Sequence, residues 1–475
     1  MLNYISRKIK DFWFIFMRPL KKLIDKDLLY IKSENGDLSL FALAVPLFIS
    51  LISVHLIGML QTVLASRYAG GFFVIPISVS NTLITVVTAI LGMVSSGTNI
   101  LMSISLGKDR KEDCKKLFGT AIISTCFLSI IVLAVAFIFA EPLLKLMASN
   151  GTEFTEYIPA TVEYFRIRLL AVFFSVIYTV INGVLQCYGH TKIGLLCGVV
   201  INALTVSVTA IIVYLVNLPA KYGAAAFGWS SVFATAVGLA LSALFTTKKK
   251  IGVNFKISAR HIKEIFSIGA PASVSSIFYT VSQTVTTSIC LNLTANAFLA
   301  KNYVTQIVYF VYVFGFAIGQ AAAIMVGRLC GMNLLDKADK FTRQNYKIVI
   351  SINTTLSLIL FALGRPLISL FFGASEGVLE FVTVVMLIDV IVELGRGMNH
   401  IGQFSLNATG DVKFTTIVSV VSCWACSVGL AYLLGITFNM GLYGIWTAFA
   451  VDELFRGTLY FLRFKKQGWK NKFKI

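Results

Sequence analysis

Phe118 to Ala140 reads FGTAIISTCFLSIIVLAVAFIFA, twenty-three residues without a charge, with Lys115-Lys116 before it and Glu141 after it. As an α-helix it would be about 35 Å long, more than the roughly 30 Å of a bilayer's hydrocarbon core. A buried helix of a water-soluble domain needs less than that, so the run predicts a membrane span. Outward from it the same pattern recurs. Apolar runs between charged or turn-rich breaks place spans near 39–66, 73–106, 118–140, 158–188, 191–216 and 222–247, then 262–292, 297–330, 345–371, 377–408, 412–436 and 441–463. Long uniform runs, rather than alternation, exclude a β-barrel, and helices satisfy every backbone group inside lipid. Composition agrees: 57% of the 475 residues are hydrophobic and only 13% are charged, against about 25% in a soluble domain.

The net charge of +19 invites a nucleic-acid reading, but its placement points elsewhere. Of 41 Lys and Arg, 32 lie in the termini and in the loops after even-numbered spans. The other loops hold about five: Arg67, Lys145, Lys221, Lys301 and Arg365. This bias is the positive-inside pattern, which predicts cytoplasmic termini and an even number of spans. Residues 1–37 hold the aromatic run Phe12 to Met17 between basic clusters. They read as an amphipathic helix on the cytoplasmic leaflet rather than a cleaved signal peptide. Cys423 and Cys426 have CxxC spacing but no second pair or nearby His, so packing is the expectation, with no metal site.

The chain repeats itself. Gly107 with its following basic loop matches Gly331 at an offset of 224. Gly189-His190-Thr191-Lys192 matches Gly410-Asp411-Val412-Lys413 at 221, and Gln61-Thr62-Val63 matches Gln283-Thr284-Val285 at 222. Six spans per repeat insert with the same orientation, related by an axis along the membrane normal. The expected division is therefore an interfacial segment 1–37, a first lobe 38–250 and a second lobe 251–470. Such pairs place substrate between the halves and rock one against the other. Pro46 and Pro271 add candidate kinks to the first helix of each half.

The Gly107 and Gly331 loops, the two Gly-x-x-Lys turns and Glu393-x-x-Arg396-x-x-Asn399 leading to Gly410-Asp411 resemble the multidrug and toxic compound extrusion (MATE) transporters. So does Gly441-Leu442-Tyr443-Gly444-Ile445-Trp446 through Asp452-Glu453-Leu454-Phe455-Arg456. The resemblance runs from about residue 38 to 469 and is closest to the bacterial NorM-like branch. It implies twelve helices in two six-helix lobes forming a V with a central cleft. It also implies a monomer in the bacterial plasma membrane, with no cofactor, that exports organic and often cationic compounds against proton or sodium entry. The chain departs from the family where many members carry an Asp in the first helix, because Gln61 stands there. Thr205 and Thr209 stand where the fifth helix often offers an Asn and an Asp. No acidic residue lies between Glu163 and Glu264, so the first half lacks a charged cation site.

The second half is richer. Asp389, Glu393, Arg396 and His400 follow helical spacing on one face of the tenth span, and Asp452, Glu453 and Arg456 fall mid-span in the twelfth. Ionised carboxylates in an apolar medium must be paired, protonated or hydrated, and intramembrane ionisable groups are functional candidates by default. Four acids against two arginines leave two acids in excess. Glu393 is the first candidate for cation coupling, followed by Asp389, Asp452 and Glu453, with Arg396, Arg456 and His400 as charge partners. The competing reading makes the same residues structural ion pairs. Cleft-lining candidates are Gln61, Tyr178, Asn182 and Asn202 in the first half and Phe278, Tyr279, Gln283, Tyr309 and Tyr312 in the second. Helix packing is the competing role for each. A lipid-linked saccharide flippase-like or other exporter of the wider superfamily stays open as an alternative, as does a non-transporting scaffold derived from a transporter. An enzyme is not expected, since no His pairs with an acid at a membrane face.

Overall fold

The computed structural model describes residues 25, 27–32, 37–69, 71–147, 157–212, 222–291 and 293–473. Within the helices, the side chains of residues 59–69, 71–75, 78, 146–147, 291 and 472 are outside that description. Twelve long helices run through the described residues. They are α1 (Leu40–Ala69), α2 (Gly71–Gly107), α3 (Lys111–Ile138), α4 (Ile158–Cys187), α5 (Thr191–Ala210), α6 (Gly223–Lys248), α7 (Ala259–Leu291), α8 (Ala295–Gly331), α9 (Leu335–Phe372), α10 (Glu376–Ala408), α11 (Val412–Thr437) and α12 (Gly441–Lys465). Ten of them are apolar enough to cross a bilayer on composition alone. The other two, α10 and α12, carry the charged residues singled out above.

Helices α3 and α9 begin at Lys111 and Leu335, about two to three turns before the apolar runs expected at 118 and 345. Their basic first turns are helical as well, with Glu112, Asp113 and Asp336 near the positive N-terminal ends.

The two halves pack alike. In the first, α2 lies against α3 and α4, α4 against α3 and α6, and α5 against α1 and α6. In the second, α8 lies against α9 and α10, α10 against α9 and α12, and α11 against α7 and α12. Adding six to each first-half helix gives its counterpart, so the sequence repeat is a structural repeat. Across the halves, α1 packs on α8, α7 on α2, and α2 on α8.

The glycines that mark the repeat explain why it persists. A Cβ on Gly107 would meet the Arg328 carbonyl oxygen at 2.2 Å and the Gly331 Cα at 2.8 Å, and one on Gly331 would meet the Ile104 carbonyl oxygen at 2.1 Å. The two glycines touch each other where α2 and α8 end. Gly189 and Gly410 close α4 and α10 with φ of +85° and +77°, a conformation that favours glycine.

That same end, rich in Lys and Arg, is fastened further. Arg328 is fully buried and donates from Nη2 to the Cys187 carbonyl oxygen across the halves at 2.7 Å. A two-stranded antiparallel pair, Tyr30–Ile31 with Leu38–Ser39, precedes α1 and buries Ile31 and Leu38. Lys337 and Gln344 of α9 donate to the backbone carbonyls of Tyr30 and Asp25. The aromatic run Phe12 to Met17, expected as an interfacial helix, lies outside the described residues.

Candidate functional site

A cavity of about 260 Å³ opens among α7, α8, α10, α11 and α12. It lies within the second half. Its wall includes Tyr279, Gln283, Tyr309, Tyr312, Asp389, Arg396, Asp452 and Glu453, joined by Lys301 and Trp446.

Behind and along this wall the charges form one network. Arg396 pairs with Glu393 one turn earlier and reaches Glu453 on α12 at 3.3 Å. Arg456 contacts Asp452 at 2.5 Å and Glu453 at 3.1 Å. Asn399 Nδ2 donates to Glu453 at 2.6 Å, and Asn353 of α9 donates to Glu393 at 3.3 Å. Each arginine also lies over a cavity aromatic, Arg396 above Tyr312 and Arg456 above Tyr279. Pairing of this kind offsets the cost of holding these charges away from water.

Asp452 is held in addition by Ser422 at 2.5 Å and Ser427 at 2.8 Å. Residues five apart lie about 140° apart on an α-helix and could not share one partner. Here α11 adopts π-helical turns over Cys423–Leu430, whose i→i+5 pattern brings such residues onto one face. Sequence reasoning missed both serines because their α-helical spacing argues against them. Cys423 and Cys426 sit in the same turns as free thiols.

Asp389 differs from the other three acids. It is 4% exposed, accepts one hydrogen bond from Trp446 Nε1 at 3.0 Å, and forms no ion pair among the described residues. Glu393 is fully buried and does not line the cavity. His400 packs edge-on against Tyr312, Phe316 and Phe404, and neither ring nitrogen has a hydrogen-bond partner among the described residues. His400 forms no ion pair among the described residues, and aromatic edges surround its ring. Lys301, assigned above to an outer loop, instead stands inside α8 and lines the cavity.

The first-half candidates sit elsewhere. Tyr178 donates to the Gly194 carbonyl oxygen at 3.2 Å, and Asn182 packs against the same glycine, joining α4 to α5. Thr205 and Thr209 bond back to the carbonyls of Ile201 and Thr205. Asn202 is half-buried on α5. None of these lines the cavity. Phe278 is on the surface of α7 against Trp424. The side chain of Gln61 lies outside the described residues.

A membrane-spanning, two-fold repeated helical bundle with ionisable groups buried in one half defines a membrane transporter. The MatE family model matches residues 46–216 and 271–433, two segments that begin on Pro46 and Pro271, and the chain belongs to the MATE family of transporters. It is 27% identical over 459 residues to "Uncharacterized transporter YisQ" of Bacillus subtilis, covering 95% of this chain and 99% of that protein. It is 24% identical to "Probable multidrug resistance protein YoeA" of the same organism, over 79% of this chain and 82% of that protein. Among solved structures, "Outward-facing conformation of a multidrug resistance MATE family transporter of the MOP superfamily" superimposes with a TM-score of 0.82 at 17% identity, over 92% of this chain and 96% of that one. That likeness is one of fold.

Proposed function

We propose that the protein exports small organic compounds in exchange for protons or sodium ions, with Asp389 as the principal coupling carboxylate. The observation that carries this reading is the contrast within the charged network. Glu393, Asp452 and Glu453 are each tied to an arginine, whereas Asp389 faces the cavity with a single neutral donor. A carboxylate placed so can bind a coupling cation or the cationic group of a substrate, but not both at once. Competition for one charge yields antiport when only the occupied carboxylate lets the halves reorient, since each ligand then displaces the other. Glu393, behind Arg396, transmits the change in charge to α12 through Glu453.

The basic end of the bundle is assigned to the cytoplasm of a bacterial plasma membrane by the placement of Lys and Arg. The glycine contact and Arg328 fasten the two halves together at that end. When one cation enters for each exported molecule of zero net charge, one net charge crosses roughly 150 mV and supplies about 3.5 kcal/mol, enough for a gradient of a few hundred-fold. Relatives named as probable multidrug resistance proteins support a small organic substrate. Aromatic walls and an acidic network favour amphipathic compounds that carry a cationic group.

Efflux of a cationic dye from proteoliposomes under an imposed proton or sodium gradient tests the proposal. Wild-type protein is expected to respond to one of the gradients, Asp389→Asn to neither, and Glu393→Gln to retain partial coupling. Equal gradient-driven efflux by Asp389→Asn and wild type would overturn it.

A further inference from the structure

Lys301 is a cation of the cavity wall that the coupling scheme does not use. Its ammonium donates to Thr287 Oγ1 at 2.9 Å and pairs with no acid among the described residues. It lines the same cavity as Asp389, which is likewise without an ion pair. The cavity therefore presents one cation and one anion that form no ion pair among the described residues, in a wall that also carries the aromatic rings of Tyr309, Tyr312 and Trp446. Every other cavity charge is paired within the arginine network.

Helix geometry sets how far apart these two charges stand. Lys301 is six residues into α8 and Asp389 thirteen residues into α10, and both helices start at the end of the bundle opposite the basic one. At about 1.5 Å per residue they lie about 9 Å and about 20 Å below that end. The Cα atoms of the two residues are thus offset by about 10 Å along the helix axes.

We infer that the cavity selects elongated aromatic zwitterions, with the carboxylate or another anionic group held by Lys301 and the ammonium held by Asp389. This rests on the antiport reading and adds the substrate class to it. A purely cationic compound satisfies Asp389 but gives Lys301 no anionic partner beyond its bond to Thr287, and a purely anionic one gives Asp389 no cationic partner. Each such mismatch costs affinity. In this scheme the coupling ion competes for the Asp389 end alone, while Lys301 determines which compounds are carried.

Three probes built on one biphenyl separate these contributions: a zwitterion with aminomethyl and carboxylate groups at opposite ends, the amine alone, and the carboxylate alone. Equilibrium binding to the purified, detergent-solubilised full chain is the readout. The zwitterion is expected to bind about ten-fold or more tightly than either single-charge probe, as one charge-assisted hydrogen bond contributes. Lys301→Gln should reduce the zwitterion to the affinity of the amine, and Asp389→Asn to that of the carboxylate. Lys301→Arg should keep the preference, and unliganded melting temperatures establish that each variant is folded. Equal affinity of amine and zwitterion, an unchanged preference in Lys301→Gln, or no binding of any probe would overturn the inference. Binding needs no gradient, so loss of coupled flux with an intact Lys301-dependent preference would refute antiport alone.

Discussion

Gly107→Ala puts a methyl group 2.2 Å from the Arg328 carbonyl oxygen and 2.8 Å from the Gly331 Cα, both backbone atoms that no rotamer change can move. Ordinary contact begins at 3.4 Å, so α2 and α8 must separate by about 1 Å at their basic ends. Overpacking of this kind costs about 1–3 kcal/mol. The cost falls only on the state in which that end is closed, so opening becomes more favourable by the same amount, about 5–150-fold. Cys330, 2% exposed and adjacent to Gly331, reports the change. Its alkylation rate, followed by mass spectrometry of the peptide that contains it, should rise within that range. Gly92→Ala, also on α2 but with nothing within 4 Å of its added Cβ, should leave the rate unchanged. An unaltered rate in Gly107→Ala, or equal increases in both variants, would refute the view that this glycine contact holds the basic end shut.

Arg396→Gln leaves Glu393 buried without its cation and should destabilise the protein by about 3–5 kcal/mol in denaturation experiments. Replacing both members of the pair with apolar residues of similar size should restore most of that loss. Trp446→Phe removes the single hydrogen bond that stabilises ionised Asp389, and a bond to a charged group contributes about 1.5–3 kcal/mol; the affinity of Asp389 for a coupling cation should rise correspondingly while the fold is kept. Ile31→Ala, in the strand pair buried at the basic end, should cost about 2–5 kcal/mol and raise Cys330 labelling as Gly107→Ala does.

Much of the architecture was written in the sequence because lipid removes alternatives. Apolar runs as long as Phe118 to Ala140 can only be spans, and the glycine landmarks of the repeat became the Gly107–Gly331 contact and the Gly189 and Gly410 helix ends. Helical spacing likewise brought Glu393 next to Arg396 and Asp452 next to Arg456. What spacing could not convey was the link between helices. Glu453 joins the two arginines only because α10 and α12 pack face to face, and Ser427 reaches Asp452 only because α11 departs from α-helical register. Lys301 read as a loop residue because an isolated lysine near the end of an apolar run ordinarily snorkels to the surface. Polar residues of the first half drew attention as cleft candidates, yet Tyr178 gives its hydroxyl to the Gly194 carbonyl and Asn182 packs against the same glycine.

The most direct test of coupling at Asp389 starts from proteoliposomes with no ion gradient. An imposed gradient of transported substrate should drive protons or sodium ions in the opposite direction in wild-type protein, and drive none in Asp389→Asn. Substrate movement without any ion movement in wild type, or ion movement that survives Asp389→Asn, would contradict the account.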